Sequence, residues 1–246
     1  MNYMIFAALY DHLMSEAPYD RWLDYVKNNS NPALKGLDIM DVGCGTGEMV
    51  IRYGQEGANV TGIDLSSEML LVAKEKTDKL GLTPFLIEQD MASLPFIGEF
   101  DVITVFCDSL NYLKTETDVK SAFTSFFQQL KTGGMLLFDV HSPYKITNVY
   151  RDQTFADDGD EISYIWNSFE GEEVLSIEHE LTFFVKNENN LYQRHEELHF
   201  QRTYPIANYK EWLEEIGFVV EKIEADFRAE APCEESERIF FKAVKK

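Results

Sequence analysis

The chain has 246 residues, 45% of them hydrophobic, which suffices for one large core or for a core with a small appended subdomain. Its 43 acidic residues against 22 basic ones give a formal net charge of -21, a field that repels polyanions and argues against nucleic acid as a partner. The three cysteines, Cys44, Cys107 and Cys233, are odd in number and far apart, which speaks against a disulfide framework or zinc site and for a reducing, cytoplasmic compartment; no segment reaches the roughly 18 apolar residues of a membrane-spanning helix.

Residues 4–10 form an apolar stretch too short for a secretory core and without a basic flank. Trp22, Tyr25 and Val26 then share one side of a helix that ends near Asn28, Asn29 and Ser30. Residues 37–42 are a short apolar strand that runs into a glycine cluster, and residues 48–54 resume a helical pattern. The unit repeats, with a strand at 60–63 and a helix to Lys79 capped by Ser66 or Ser67. Third and fourth strands fall at 84–89 and 100–107, the fourth continuously apolar and so buried on both faces. A helix at 119–130 stops at Lys131-Thr132-Gly133-Gly134, and a fifth strand follows at 135–140. Repeated strand–helix units with short connections predict a mainly parallel, doubly wound α/β sheet.

After Tyr150 the hydrophobic period changes to two over residues 162–169, 174–185 and 191–204, which predicts an inserted antiparallel meander. Leu175, Ile177, Leu181, Phe183 and Val185 share one face of its middle strand. That face needs a cover, which a substrate or a homodimer contact would supply. Residues 209–216 return to a helix closed by Gly217, and two more strands are expected at 218–223 and 238–244. The division expected is a helical lid at 1–35, a core at 36–147 and 205–246, and an inserted β subdomain at 148–204.

A strand that ends in Gly43, Gly45 and Gly47 and opens a helix brings backbone N–H groups and the positive end of a helix close to a ligand. The dinucleotide fingerprint places its third glycine one residue later, and Asp41, two residues before Gly43, suits a cationic ligand better than a pyrophosphate.

The run Leu37-Asp38-Ile39-Met40-Asp41-Val42-Gly43-Cys44-Gly45-Thr46-Gly47 resembles the first motif of the class I S-adenosylmethionine-dependent methyltransferases. Gly62-Ile63-Asp64-Leu65-Ser66, Glu88-Gln89-Asp90-Met91, Phe100-Asp101-Val102-Ile103 and Leu130-Lys131-Thr132-Gly133-Gly134 resemble later segments in that family's order, so the likeness spans residues 37–140. The resemblance implies a Rossmann-like seven-stranded sheet with an antiparallel last strand, S-adenosyl-L-methionine as cofactor, S-adenosyl-L-homocysteine as product and no metal. It further implies that Asp64 accepts from the ribose hydroxyls, Asp90 from the adenine amino group, and that Leu65 and Met91 flank the ring. Gly43, Cys44, Gly45 and Gly47 would lie along the methionine part, with Cys107 and Asp108 beneath the sulfonium. Tyr10, Tyr19 and Trp22 would form an aromatic lid, since a ring face favours a cation.

The leaving group of such a methyl transfer is a neutral thioether, so catalysis is mainly in-line placement, and a general base is needed only for an acceptor that must lose a proton. Groups at the carboxyl ends of the strands are the candidates: Asp108, Asn111, Tyr112, Asp139, His141 and Tyr144. His141 is the proton acceptor by type, beside Asp108, with Asn111, Tyr112 and Tyr144 on the acceptor side. His195 and His199 stand about 13 Å apart if in a strand, too far to share a metal. A small neutral or cationic acceptor fits the acidity best; a protein or tRNA acceptor, or a non-catalytic cofactor-binding protein, is the alternative reading.

Overall fold

A computed structural model describes residues 9–30, 33–187 and 189–246. Residues 4–8 of the opening apolar stretch, and with them the start of the expected lid, lie outside the described residues. Residues 9–13 are helical. They precede α1 (Tyr19–Asn29), β1 (Asp38–Val42), α2 (Glu48–Gln55), β2 (Asn59–Asp64), α3 (Ser67–Lys79), β3 (Phe85–Glu88), β4 (Phe100–Val105), α4 (Glu116–Gln129) and β5 (Leu130–His141). Then come β6 (Gln153–Asp158), β7 (Ile162–Glu170), β8 (Ser176–Lys186), β9 (Tyr192–Arg202), α5 (Ile206–Ile216), β10 (Phe218–Ala225) and β11 (Arg238–Lys245).

Local signals set most of these limits. The Ser66 hydroxyl accepts from the Met69 N–H and starts α3. Gly217, at φ +116°, ends α5 in the left-handed region. Helix α4 starts earlier than the periodicity suggested, because Thr115 and Asp118 form a capping box ahead of its first apolar residue. The expected stop at 131–134 is instead an irregularity inside β5: Phe100 pairs with Leu130, but Val102 pairs with Met135.

Seven strands form one sheet in the order β10-β11-β5-β4-β1-β2-β3, all parallel except β11, which runs antiparallel to both β5 and β10. Alternate residues divide between the faces: Leu136 and Phe138 pack with Phe123 and Phe126 of α4 and Trp212 of α5, while Leu137 packs with Trp22, Val26 and Tyr53 of α1 and α2. The chain leaves β1 toward β2 and returns on the other side at β4. The loops after β1 and β4 therefore diverge, and a crevice opens at their carboxyl ends.

The insertion is a four-stranded antiparallel sheet, β6-β7-β8-β9. Three strands match the runs of alternation; β6 was not foreseen, because it is a polar edge strand whose one sizeable apolar residue, Phe155, is half-buried. The apolar face of β8 is covered within this chain. Leu181 and Phe183 pack on Leu9 and Leu13, and Ile177 on Ile146 and Tyr150 of a wide helical turn, Lys145–Tyr150. The sheet thus sits over the carboxyl ends of β4 and β5. No helix among the described residues is long and apolar enough to cross a membrane, and no cluster of three metal-ligating side chains occurs among them.

Candidate active site

Strand β1 delivers the glycine loop. Gly43, Gly45 and Gly47 all have positive φ, at +70°, +51° and +85°. Gly43 and Cys44 donate their N–H groups to the Ile63 carbonyl at 2.8 and 2.9 Å, so the loop is tied to the end of β2. A Cβ on Gly43 would lie 2.6 Å from Ser109 Cβ, and one on Gly47 would lie 2.9 Å from Ala73 Cβ. Packing excludes side chains at both. A Cβ on Gly45 would have only the Tyr10 ring near it, at 3.9 Å, so this glycine keeps open the side a ligand would occupy. Cys44 turns inward and is buried.

At the tip of β2 the Asp64 carboxylate accepts the Gly45 N–H at 2.7 Å and the Ser66 N–H at 2.9 Å. Burial pushes its pKa up, against those backbone donors. Each oxygen retains a lone pair, as two ribose hydroxyls require. The Leu65 side chain is 70% exposed, a flat apolar surface beside that carboxylate. Asp90 caps the next turn through the Ala92 N–H at 2.8 Å and has a second oxygen for an amino group. The Met91 methyl lies 3.6 Å from where a Gly43 Cβ would be, so Met91 reaches the glycine loop. These donors and acceptors fit an S-adenosyl group.

Beneath the loop, Asp41 is buried and accepts the Thr104 hydroxyl at 2.6 Å. Burial pushes its pKa up to about 7, with Thr104 opposing and Asp64 adding to the rise. A carboxyl so placed gains from a nearby cation.

Tyr10 and Tyr19 cover a cavity of about 30 Å³ whose floor includes Phe106 and Cys107. The helical segment at 9–13 is latched over it: the Thr46 hydroxyl donates to Asp11, and Lys76 Nζ bridges Asp11 at 3.0 Å and Glu48 at 2.5 Å. Trp22 is placed elsewhere. It is buried in the core, its indole N–H donates to Asp139 at 3.2 Å, and its ring lies under the Arg238 guanidinium at 5.2 Å, so it backs the second cluster rather than the lid.

The second cluster begins where β4 ends. Cys107 and Asp108 both take left-handed conformations, at φ +53° and +52°, which turn the Asp108 carboxylate toward β5. Its Oδ1 accepts from Arg238 at 2.8 Å, and its Oδ2 from Gln201 at 2.7 Å and from His141 Nε2 at 3.2 Å. Burial alone would raise the Asp108 pKa, but His141 and Arg238 hold it well below the usual carboxylate range. Arg238 also pairs with Asp139, whose pKa burial pushes up.

His141 is 2% exposed. Its backbone N–H donates to Asn111 Oδ1 at 2.9 Å, its backbone carbonyl accepts from the Thr203 hydroxyl at 2.6 Å, and the Tyr150 ring meets the imidazole edge-on at 5.3 Å. Burial pushes its pKa down, against Asp108. Its Nδ1 has no hydrogen-bond partner among the described residues.

The structure thus brings Asp108, His141 and Asn111 together. Asn111 is spent on the scaffold, since its Nδ2 donates to the Arg202 carbonyl at 2.8 Å while its Oδ1 holds His141. Tyr112 is half exposed and its hydroxyl meets His199 Nδ1 at 3.3 Å. Tyr144 stands half-buried just ahead of the turn that carries Tyr150. His195 and His199 both lie on β9, as the strand reading required. Gln201, His179, Thr203 and Arg238 were missed. One signal was available: His179 interrupts the apolar face of β8 between Ile177 and Leu181, and a polar residue at an inward position needs a partner.

A sequence profile of the methyltransferase domain matches residues 39–134. A methyltransferase-family protein of Geobacillus sp. (strain WCH70) is 48% identical over 247 residues, covering 100% of both chains. Another, YqeM of Bacillus subtilis (strain 168), is 48% identical over 246 residues, covering 100% of this chain and 98% of the relative. The crystal structure of an S-adenosylmethionine-dependent methyltransferase from Clostridium acetobutylicum ATCC 824 superposes with a TM-score of 0.88 at 29% identity, covering 98% of each chain.

Proposed function

The chain belongs to the class I S-adenosylmethionine-dependent methyltransferases, and we propose that it methylates a small-molecule acceptor whose proton is taken by His141. The observation that carries this reading is the buried His141–Asp108 pair with its unpartnered Nδ1. Asp108 holds the proton on Nε2, so Nδ1 presents a lone pair.

When bound, the cofactor supplies a methyl group on a sulfonium that departs as a neutral thioether, and no residue need protonate it. Asp64 and Asp90 would fix the nucleoside, Leu65 and Met91 would flank its base, and Gly43 and Gly45 would let the methionine part approach the backbone. Asp41 would supply negative charge below, Cys107 and Asp108 would lie beneath the sulfonium, and Tyr10 and Tyr19 would close over it. Holding two reactants in line contributes roughly 7–11 kcal/mol. A placed base adds about 10²- to 10⁴-fold for an acceptor that must lose a proton, such as a hydroxyl or an ammonium.

A small acceptor is supported by the inserted sheet, which roofs the pair and leaves Tyr112 partly exposed beside it. The charge of -21 disfavours tRNA. The three unpaired cysteines suit a reducing cytoplasm. The test supplies methyl-labelled cofactor and a fractionated cell extract to the wild type and to His141→Asn. Label in the small-molecule fraction that depends on His141 supports the reading. Label confined to protein or RNA overturns the acceptor class, and no transfer with intact cofactor binding favours a non-catalytic protein.

A further inference from the structure

We propose that Gln201, from the inserted sheet, is a positioning residue for the Asp108–His141 pair, and that Trp166 and His179 fix the direction of its amide. The role assigned to Gln201 rests on His141 being the proton acceptor; the hydrogen-bond chain stands independently of it.

The chain has one direction only. An indole N–H can only donate, and Trp166 Nε1 lies 2.9 Å from His179 Nδ1, so that nitrogen is an acceptor. The Ser168 hydroxyl reaches the same nitrogen at 2.8 Å and acts as a second donor. Burial pushes the His179 pKa down to about 4, so the ring is neutral near pH 7 and its proton sits on Nε2. Nε2 is 3.3 Å from Gln201 Oε1 and donates to it. The Gln201 Nε2 then faces Asp108 Oδ2 at 2.7 Å. Turning the amide over would set its oxygen against a carboxylate oxygen and its NH₂ against an N–H. Both contacts would be repulsive, and Gln201, His179 and Ser168 are too buried for water to relieve them.

Gln201 and His141 therefore share Asp108 Oδ2, while Arg238 takes Oδ1. An amide donating to the shared oxygen fixes the plane of the carboxylate and tempers its pull on the His141 proton. The groups facing His141 come from four further directions: Asp108 beyond β4, Arg238 on β11, Lys145 on the 145–150 turn, and His179 on β8. The insertion so becomes part of the proton-handling site rather than only its roof.

The chain has five histidines, so ring-nitrogen NMR of histidine-labelled protein can follow each one across pH. In the wild type, His179 should be the neutral tautomer protonated on Nε2 and should not titrate above about pH 5. Trp166→Phe keeps a ring but removes the partner that can only donate, leaving the Ser168 hydroxyl, which donates or accepts, so it should yield a tautomer mixture at His179. Gln201→Glu is isosteric and sets a second carboxyl against Asp108, so the His141 midpoint should rise by about one unit or more. Gln201→Leu removes the donor and should raise it less. His179 protonated on Nδ1 in the wild type, or a His141 midpoint unmoved by both Gln201 substitutions, overturns the proposal. The wild-type tautomer needs no variant, so a substitution that fails to fold leaves that arm decisive. None of these readouts uses methyl transfer: an intact chain in a protein whose His141→Asn variant still transfers methyl groups would refute the function reading alone.

Discussion

His141 stands opposite Asp108 because β4 and β5 are parallel neighbours in a register that pairs Val105 with Phe138. Each of the two residues lies three places beyond its paired partner, and the left-handed turn at Cys107 and Asp108 brings the carboxylate to 3.2 Å from Nε2. Neither residue on its own would mark a site. Their pairing follows from the register.

His141→Asn should lower methyl transfer by about 10²- to 10⁴-fold with little change in the calorimetric affinity for S-adenosylhomocysteine. Asp108→Asn should lower transfer as well and should also depress the melting temperature more, because it leaves Arg238 with Asp139 as its one remaining carboxylate partner.

Asp41 carries a pH dependence with a definite sign. Its pKa in the folded protein is about 7 against an ordinary 3.8, so the folded state holds a proton over that interval that the unfolded chain has lost. Stability from this group is full below the ordinary value and is lost as pH rises through about 7. Ligand binding runs the other way: a cationic ammonium prefers the ionised carboxylate, so affinity for S-adenosylhomocysteine should climb between about pH 6 and 8. Asp41→Asn should flatten that climb in calorimetry and melt higher than the wild type at about pH 8.

The two central glycines should fail differently. Gly43→Ala places a methyl 2.6 Å from Ser109 Cβ and should cost stability in the ligand-free protein, read as a lower melting temperature. Gly45→Ala meets no close neighbour and should cost only the left-handed backbone penalty, about 1–2 kcal/mol, while cofactor binding falls by a larger factor.

A cavity of about 30 Å³ is all the room between Tyr10 and the Gly43–Gly45 backbone, so the segment that carries Tyr10 is expected to lift as the methionine part of the cofactor enters. Asp11→Ala removes its ties to Thr46 and Lys76. These two part-buried polar contacts are together worth about 1 kcal/mol, so cofactor release measured by stopped flow should quicken roughly fivefold. An unchanged rate would assign the closure to Tyr10 packing instead.

The glycine loop and the turns beside it were legible from local sequence because each residue there works through its own backbone neighbourhood. Gly43, Gly45 and Gly47 answer to φ and to Cβ clearance, Asp64 bonds to the N–H groups of Gly45 and Ser66, and Asp90 caps the turn that follows it. Such requirements recur at fixed spacing and so read as motifs. The doubly wound order was legible for the same reason, since each strand–helix unit carries its own period and caps.

The cluster around Asp108 and His141 came together only in three dimensions. Trp22, read as part of an aromatic lid from the family resemblance, binds Asp139 instead; Asn111, read as a substrate contact, braces His141; and Arg238, in the last strand, closes on Asp108 from 130 residues away in sequence. Gln201 and His179 reach the same carboxylate from a sheet whose sequence shows nothing but alternation. A buried charge is stabilised by whatever partners the fold carries to it, at any distance along the chain. The sequence by itself therefore determined the cofactor and the sheet that holds it, whereas register and the placement of the inserted sheet decided which side chains meet at Asp108.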